Sequence, residues 1–521
     1  MSTGERPRRR TRATTGARTA GRTILVALLV SLAARPAAAH QFSSRFDAPI
    51  PLELLYGGAA AAVAATALLL AAVNETPTLR RRLVAVPRGV ARAAAASARA
   101  AFFLAFVGVL VAGLAGPRAA AENFATLFTW SIWLKGVGLV AVVAGSPWRT
   151  LSPWRTLYDA LCRLEGREIR LRSYPSGLGH WPALAWFVVL VGVAENLTQV
   201  PQLPAATAVV VAVYALVTLG GALLFGREWF ERGDVFEALY DLLGRTAPLS
   251  ATPRDGEWAI ELRAPWRDCS APLSTRTLTA FVVAMVYTVT FDGFAESPLY
   301  QSLYFGVREA FDVGPSVSVV LYEAGLFGFL LAYLLVVVAV DRLTRIARDR
   351  SGAEAGASRA GADAKADGGD GSDAASPPAS AALAFGGTLL PIAAGYEVAH
   401  NYGFVATYLG RLPTLAGFDA ADPLWWLSIP AFWISQVLFI VAGHVVAVVA
   451  ADAVVRRNLT ARPSGDGDER SSSAHWTPSG DAARRRAPPK RWALLAHAPL
   501  VALMVGYTAL SLWVVSLPVA G

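Results

Sequence analysis

The stretch PSVSVVLYEAGLFGFLLAYLLVVVAV (residues 315–340) decides the fold class of this chain. Its only charged side chain is Glu323, and its apolar residues run continuously instead of alternating with polar ones. An apolar run of about 20 residues or more is long enough to cross the hydrocarbon core of a bilayer as an α-helix. The continuity of the run disfavours a β-barrel strand. The stretch therefore predicts a transmembrane helix.

Similar runs recur along the whole chain. Its 521 residues are 54% hydrophobic and 16% charged, with a mean hydropathy of +0.43. These values predict an all-α fold, a polytopic bundle of about ten transmembrane helices. The predicted spans lie near residues 54–73, 99–116, 125–145, 182–200, 205–225, 276–293, 315–340, 381–402, 427–451 and 493–517.

The N-terminus has the layout of an export signal. Residues 1–22 are basic, residues 23–34 (TILVALLVSLAA) form a short apolar core, and Ala37, Ala38 and Ala39 fit a signal-peptidase site. This layout predicts a cleavable signal peptide over residues 1–39, with His40 as the new N-terminus outside the cell. The alternative is an uncleaved first anchor.

The distribution of basic residues predicts the orientation. Alternate loops carry about thirty Arg and Lys residues, against about four in the opposite set. The basic set is therefore predicted to be cytoplasmic, with both mature termini outside a plasma membrane and the lipid bilayer as the main partner. The net charge of +9 is explained in this way without nucleic acid, which we do not expect as a partner. The basic loops are residues 74–98, 146–181, 226–275, 341–380 and 452–492.

The spans fall into two parts. Residues 40–344 hold about seven predicted spans and residues 381–521 about three. Residues 345–380 between them are rich in Gly, Ala, Asp and Ser, which predicts a disordered cytoplasmic linker. Residues 460–490 are predicted to be a second disordered loop.

Two cytoplasmic segments have a helical apolar stripe. The first follows an immediate duplication, SPWRTLSPWRTL (residues 146–157), and predicts an amphipathic helix at the inner membrane interface. The second, RGDVFEALYDLLGRTAP (residues 232–248), predicts a helix with Asp234 as its N-cap. For both segments, packing on the membrane domain is preferred to binding a partner protein.

Charged side chains within predicted spans are candidates for function, because burying them in lipid is costly. Most of them lie toward the outer ends of their spans, which predicts a shared hydrated pocket open to the outside. The alternative is that each only caps its span at the headgroups. The candidates that line this pocket are Lys135, Glu195, Asp292 and Glu323, together with Glu397 and His400.

The segment GYEVAHNYGF (residues 395–404) places Glu397 and His400 on one helical face. Such a pair can ligate a cation or relay protons. His444 is a candidate third ligand, although a span histidine bonded to a carbonyl explains it equally well. His40 is a fourth candidate, since an N-terminal amine and imidazole can bind copper together; the alternative is an arbitrary residue left by cleavage. A metal at these residues would be a transition metal, copper or zinc.

Several stretches resemble a family of prokaryotic polytopic membrane proteins, some members of which are labelled fenitrothion hydrolase. The matching stretches are AHQFSSRFDAPIPL, SPWRTLYDAL, LFGREWFERGDVFEALYDLLGRTAP, VTFDGF, IVAGHVVAV and LMVGYTALSLWVVSLP. The resemblance implies a multi-span membrane protein and little about mechanism. A histidine often stands in that family at the position of Glu397, so Glu397 is a departure that keeps ligand chemistry possible and weakens the case for copper.

Three functions are compatible with these observations. The leading hypothesis is a transporter for a cation, a metal ion or protons, with Glu397 and His400 at the centre of the pocket. The second is a metal-dependent membrane enzyme, a hydrolase or a copper-type oxidase. The third is a membrane scaffold or assembly factor.

Overall fold

A computed structural model of the chain describes residues 52–72, 79–360, 378–460, 498–499, 501–510 and 513. The predicted signal peptide, His40 and residues 461–490 of the loop predicted over 460–490 lie outside the described residues.

The described chain is mostly helical, as predicted. In chain order the helices are α1 (Leu52–Ala72), α2 (Arg88–Ala115), α3 (Phe124–Ala144), α4 (Trp148–Leu151), α5 (Pro153–Glu165), α6 (Ser176–Glu195), α7 (Pro204–Phe225), α8 (Glu228–Gly233), α9 (Val235–Gly244), α10 (Arg276–Ala295), α11 (Pro298–Phe311), α12 (Val317–Ala360), α13 (Pro378–Gly386), α14 (Leu390–Arg411), α15 (Ile429–Thr460) and α16 (Val501–Leu510).

Eight described helical segments are long and apolar enough to cross a membrane, in agreement with a multi-pass bundle. They lie in α2, α3, α6, α7, α10, α12, α15 and the continuous stretch Ala381–Ala416, which includes α14. The first and last predicted spans correspond to shorter apolar helices, Gly57–Leu70 and Val501–Leu510. The total of ten spans therefore stays a prediction.

Local sequence signals set the ends of these helices. Asn123 caps α3, because its side-chain oxygen accepts a hydrogen bond from the Ala125 N–H at 2.8 Å. Pro204 begins α7, where its missing N–H costs nothing. Gly226 follows α7 with a φ of +71°, a backbone conformation that other residues adopt with difficulty.

The long helix α12 differs from its prediction. It continues to Ala360, so the linker predicted for residues 345–380 begins in a stretch that the structure describes as helix. Residues 361–377 lie outside the described residues.

A small sheet is the feature that the all-α prediction missed. Strands β1 (Arg80–Pro87), β2 (Leu249–Arg254) and β3 (Glu257–Arg263) form an antiparallel sheet in the order β1-β3-β2. The turn between β2 and β3 is Asp255-Gly256, with φ values of 26° and 92°. An Asp-Gly pair with both residues at positive φ is a favoured hairpin turn, so the signal was present in the sequence.

Long-range contacts place several loops on one side of the bundle. The sheet joins the loop before α2 to the loop after α9, and four apolar helices (α2, α3, α6 and α7) lie between them. On the same side, Arg456 Nη2 donates to the Leu70 carbonyl at 2.5 Å, and Arg457 donates to the Ser270 carbonyl. An even number of crossings separates Ser270 from Arg457 as well. These contacts agree with the predicted grouping of the basic loops, while the identity of that side stays a prediction.

Candidate functional site

The centre of the site is a buried ion pair between two spans. Lys135 Nζ lies 3.0 Å from Glu195 Oε1, and the two side chains are only 9% and 5% exposed. Lys135 belongs to α3 and Glu195 ends α6. The sequence singled out both residues as charges inside spans, but hydropathy did not indicate that they meet.

Both partners lie on π-helical segments. Leu127–Gly136 within α3 and Val188–Glu195 within α6 have π-helical hydrogen bonding. A π-helix shifts the side chains that follow it relative to a regular α-helix, and such segments occur frequently at functional sites. Periodicity in the sequence does not reveal a π-helix, because the extra residue leaves the apolar composition unchanged.

A second carboxylate, that of Glu397, reaches α3 from α14. A Cβ on Gly138 would lie 3.3 Å from Glu397 Oε1, so the absence of a side chain at Gly138 lets this carboxylate reach α3. Gly138 follows Lys135 by three residues and therefore shares its helical face. Lys135 interacts electrostatically with Glu195, Glu397 and Asp292, the last from α10.

Lys135, Asp292 and Glu397 border a small cavity. About 30 Å³ of it is available to the centre of a water molecule, which is room for roughly two waters. Its charged and polar lining consists of Lys135, Asn196, Thr288, Asp292, Glu397, His400 and Asn401. Asn196, Thr288 and Asn401 were not predicted; Asn196 and Asn401 each directly follow a predicted residue in an otherwise apolar segment.

The charges in this region do not balance. Three carboxyl groups, those of Glu195, Asp292 and Glu397, interact electrostatically with the single ammonium of Lys135. The second oxygen of Glu195, Oε2, is buried without a hydrogen-bond partner in the described part of the chain. Uncompensated charge in a region of low dielectric costs several kcal/mol. The cluster therefore favours the uptake of protons or of a small cation.

Helix α14 crosses α15 at very short range beside the site. A Cβ on Gly443 of α15 would lie 2.5 Å from the Pro391 carbonyl oxygen, and one on Gly395 would lie 2.7 Å from the Phe439 carbonyl oxygen. Small residues on both helices allow this backbone approach. Because α14 continues to Arg411, Glu397 and His400 lie in mid-helix instead of near the end predicted at residue 402.

Three of the predicted residues that the structure describes do not line the cavity: Glu195, which reaches it only through its ion pair with Lys135, Glu323 and His444. Glu323 is exposed, whereas its neighbour Tyr322 is fully buried and its hydroxyl lies 2.6 Å from Thr288 Oγ1. His444 is fully buried; its Nδ1 lies 2.8 Å from the Ile440 carbonyl oxygen, and its Nε2 lacks a partner within the described residues. The contact with Ile440 matches the alternative offered for this histidine.

The described residues contain no group of three or more His, Cys, Asp or Glu side chains that could hold a metal ion. Glu397 and His400 share one helical face as predicted, and both line the cavity. Neither His444 nor Glu323 joins them there. Copper or zinc binding stays a prediction, and the described donor set provides two side chains for it where three or four are usual.

A short helix from a predicted cytoplasmic loop closes one wall of the cavity. Leu239 and Leu243 of α9 line the cavity, and the Tyr240 hydroxyl donates to the carbonyls of Trp133 and Leu134 in α3. Burial, followed by the neighbouring carboxylates, raises the pKa of Tyr240 well above its usual range, so this hydroxyl keeps its proton. Helix α9 is thus part of the membrane domain and does not lie on its surface.

The duplicated hexapeptide anchors α9. The indole Nε1 atoms of Trp148 and Trp154, which occupy equivalent positions in the two copies, both donate to Asp234 Oδ2, at 3.0 and 2.6 Å. Asp234 Oδ1 accepts from the Tyr214 hydroxyl at 2.7 Å and from the Phe236 N–H at 3.0 Å, which confirms Asp234 as the N-cap of α9. We call these four donors and Asp234 the tryptophan clamp.

The arginines of the duplication converge in the same way. Arg149 Nε lies 2.8 Å from Glu237 Oε1, and Arg155 Nη2 lies 3.2 Å from Glu237 Oε2. The two pairs differ in exposure, since Arg149 is 60% exposed and Arg155 is 16% exposed. The duplication therefore provides two equivalent contacts to one helix, with the second copy more deeply buried.

No family model matches the chain, and neither a curated protein nor a solved structure is significantly similar to it. The resemblance described from sequence stretches therefore adds no assignment to this site.

Proposed function

We propose that this membrane protein transports protons or a small monovalent cation through the cluster formed by Lys135, Glu195, Asp292, Glu397 and His400. The observation that carries the proposal is the buried Lys135–Glu195 pair at 3.0 Å beside two further acidic side chains and a cavity of water size. Buried ionisable groups on facing spans are typical of ion and proton pathways.

The size of the cavity favours an ion over an organic substrate. A volume of about 30 Å³ for water centres accommodates roughly two waters or one dehydrated cation. Drug-sized ligands occupy pockets of roughly 300–1,000 Å³. Access from the outside, which the sequence predicts, is part of this proposal.

His400 fits a proton pathway best among the lining residues. An imidazole has two ring nitrogens, so it can take up a proton at one and release it from the other, as histidines do in proton shuttles. His400 precedes Asn401 and follows Glu397 by one helical turn, and all three side chains border the cavity. No observation on the described residues favours the enzyme or scaffold hypothesis over transport.

The test is ion flux across a sealed membrane. Purified protein is reconstituted into liposomes that contain a pH-sensitive dye, and a potassium gradient with valinomycin sets the membrane potential. A second set of vesicles carries a sodium gradient and a sodium indicator. We expect flux of one of these ions in the wild type and at least a tenfold loss in Glu397→Gln, because that substitution removes a carboxylate from the cavity.

Glu323→Gln is the matched control. It makes the same chemical change at an exposed glutamate that does not border the cavity, so flux should equal that of the wild type. Wild-type liposomes that pass neither protons nor sodium would rule out the proposal. So would an equal loss of flux in both variants, because the effect would then not depend on the cavity.

A further inference from the structure

The Tyr240 hydroxyl bonds to the backbone of the π-helix that carries Lys135. It lies 2.8 Å from the Trp133 carbonyl oxygen and 3.1 Å from that of Leu134, the residue directly before Lys135. Tyr240 is fully buried, and its ring packs against Trp148 and Phe236 with centroids 5.5 and 5.9 Å away. The hydroxyl is therefore held in place by the same elements that anchor α9.

One of these two carbonyls needs an outside donor because of the helix geometry. At the end of the π-helix the Val137 N–H bonds to the Ile132 carbonyl, five residues back. The helix then returns to four-residue spacing, which leaves one carbonyl of the ladder without a backbone N–H. A buried carbonyl without a donor costs about 1–3 kcal/mol. The Tyr240 hydroxyl stands where that donor is required.

The π-helix that carries Glu195 has a corresponding contact. Asn196 Nδ2 donates to the Val191 carbonyl at 2.7 Å, while the Asn196 N–H bonds to the Val193 carbonyl. Each half of the ion pair therefore has a side-chain donor on the open backbone of its own π-helix. The donor to the π-helix that carries Lys135 is Tyr240, which belongs to a different helix, α9. The donor to the π-helix that carries Glu195 is Asn196, the next residue in the sequence.

We propose that Tyr240 and Asn196 are positioning residues that hold the two π-helical segments in the register that brings Lys135 to Glu195. The expected effect on ion flux rests on the proposed transport function. The stabilisation of the two π-helical segments can be tested without any transport measurement. The proposal also assigns a role to the duplicated hexapeptide: the tryptophan clamp fixes α9 so that Tyr240 reaches α3.

The first variant is Tyr240→Phe, which removes the hydroxyl and keeps the ring. Amide hydrogen–deuterium exchange is measured on the peptide that spans residues 127–137 in full-length protein in detergent. We expect its exchange rate to rise roughly 5- to 150-fold, the factor that corresponds to 1–3 kcal/mol. In the flux assay the pH of half-maximal rate should shift, because Lys135 would no longer hold a fixed distance from Glu195.

Tyr333→Phe is the matched control. It removes a fully buried hydroxyl that also donates to a backbone carbonyl, that of Ala382 at 2.8 Å, but this hydroxyl belongs to α12 and does not bond to α3. Exchange over residues 127–137 should stay close to wild type in this variant. An equal rise in both variants would show that the loss of any buried hydroxyl loosens α3, and no rise in Tyr240→Phe would also overturn the proposal.

Asn196→Ala provides a second arm in case Tyr240→Phe folds poorly. It should raise exchange over residues 188–196 and leave residues 127–137 unchanged; no rise over residues 188–196 would contradict the role of Asn196. If wild-type liposomes carry no flux, the transport proposal fails, while the exchange measurements still decide whether these two residues hold the π-helices.

Discussion

The ammonium of Lys135 and the carboxylate of Glu195 stabilise each other only as a pair. Their attraction at 3.0 Å offsets part of the cost of removing both charges from water. Removing one partner leaves the other charge buried, which costs about 3–5 kcal/mol in comparable pairs. In a coupled buried pair, removing one partner therefore costs more than the intact pair contributes, whereas two uncoupled charges show independent effects.

We therefore expect Lys135→Gln to lower the thermal unfolding temperature of the purified protein clearly, and Glu195→Gln to lower it less, because Asp292 and Glu397 still interact with the ammonium. The double variant should be closer to the wild type than the sum of the two single changes, with a coupling of at least about 1 kcal/mol. Unfolding in detergent, followed by a thiol-independent probe such as tryptophan fluorescence, provides the measurement. Additive effects of the two substitutions would show that the pair is not coupled.

Hydropathy alone found the charged residues but not their partners. Lys135, Glu195 and Glu397 stood out because each interrupts an apolar run. Glu323 stood out in the same way, yet its side chain is exposed. The run around Glu323 is apolar on every side, so the sequence did not indicate which face of α12 packs inward. The inward face of α12 is set by the hydrogen bond between Tyr322 and Thr288, which joins two different spans.

At the level of elements, the crossing of α14 and α15 fixes where Glu397 stands. Gly395 and Gly443 allow the two backbones to approach, and a Cβ on Gly443 would lie 2.5 Å from the Pro391 carbonyl oxygen. Any larger residue there must push the helices apart. Glu397 follows Gly395 by two residues, so such a displacement would reach the cavity.

Gly443→Ala should lower the stability of the protein by about 1–3 kcal/mol, the usual cost of overpacking a well-packed contact. The measurement is the unfolding temperature in detergent. Gly328→Ala, within the apolar segment Val317–Leu343 of α12, is the control, because a Cβ at that position meets nothing within 4 Å. It should leave stability unchanged or raise it slightly, since alanine favours a helix over glycine. A Gly443→Ala variant as stable as Gly328→Ala would contradict the tight crossing.

The elements differ in how well the sequence predicted them. Long apolar runs predicted the eight long apolar helical segments, because length and continuity are local properties. The π-helical segments and the strand β1 were missed for a physical reason: each depends on hydrogen bonds that the local pattern does not reveal. The hairpin of β2 and β3 is different, since its Asp255-Gly256 turn was visible in the sequence.

For the molecule as a whole, the contacts between loops constrain the topology without reference to charge. The three-stranded sheet, the Arg456–Leu70 bond and the Arg457–Ser270 bond require these segments to share one side of the membrane. The distribution of arginines predicts the same grouping independently. The two arguments use different information, one from geometry and one from composition.

Thiol labelling in intact cells checks this arrangement. Single substitutions Arg81→Cys and Arg267→Cys place exposed cysteines near the sheet, and Asp422→Cys places an exposed one beyond α14, on the side that the sequence predicts to face outward. We expect a membrane-impermeant maleimide to label only Asp422→Cys in intact cells and all three after lysis. The native cysteines, Cys162 and Cys269, are buried and give a low background. Different labelling of Arg81→Cys and Arg267→Cys in intact cells would contradict the shared side.

Strands β1 and β3 of the sheet are far apart in the sequence, so they are synthesised at different times. Arg80 and Glu261, which pair across β1 and β3, are 181 residues apart, so β1 leaves the ribosome roughly ten to forty seconds before its partner strand at typical translation rates. During that interval β3 is not yet available to pair with β1, while the four apolar helices between the two strands are synthesised. Its three consecutive arginines, Arg80, Arg81 and Arg82, discourage neighbouring nascent chains from pairing with it, since charge on an exposed strand opposes edge-to-edge association.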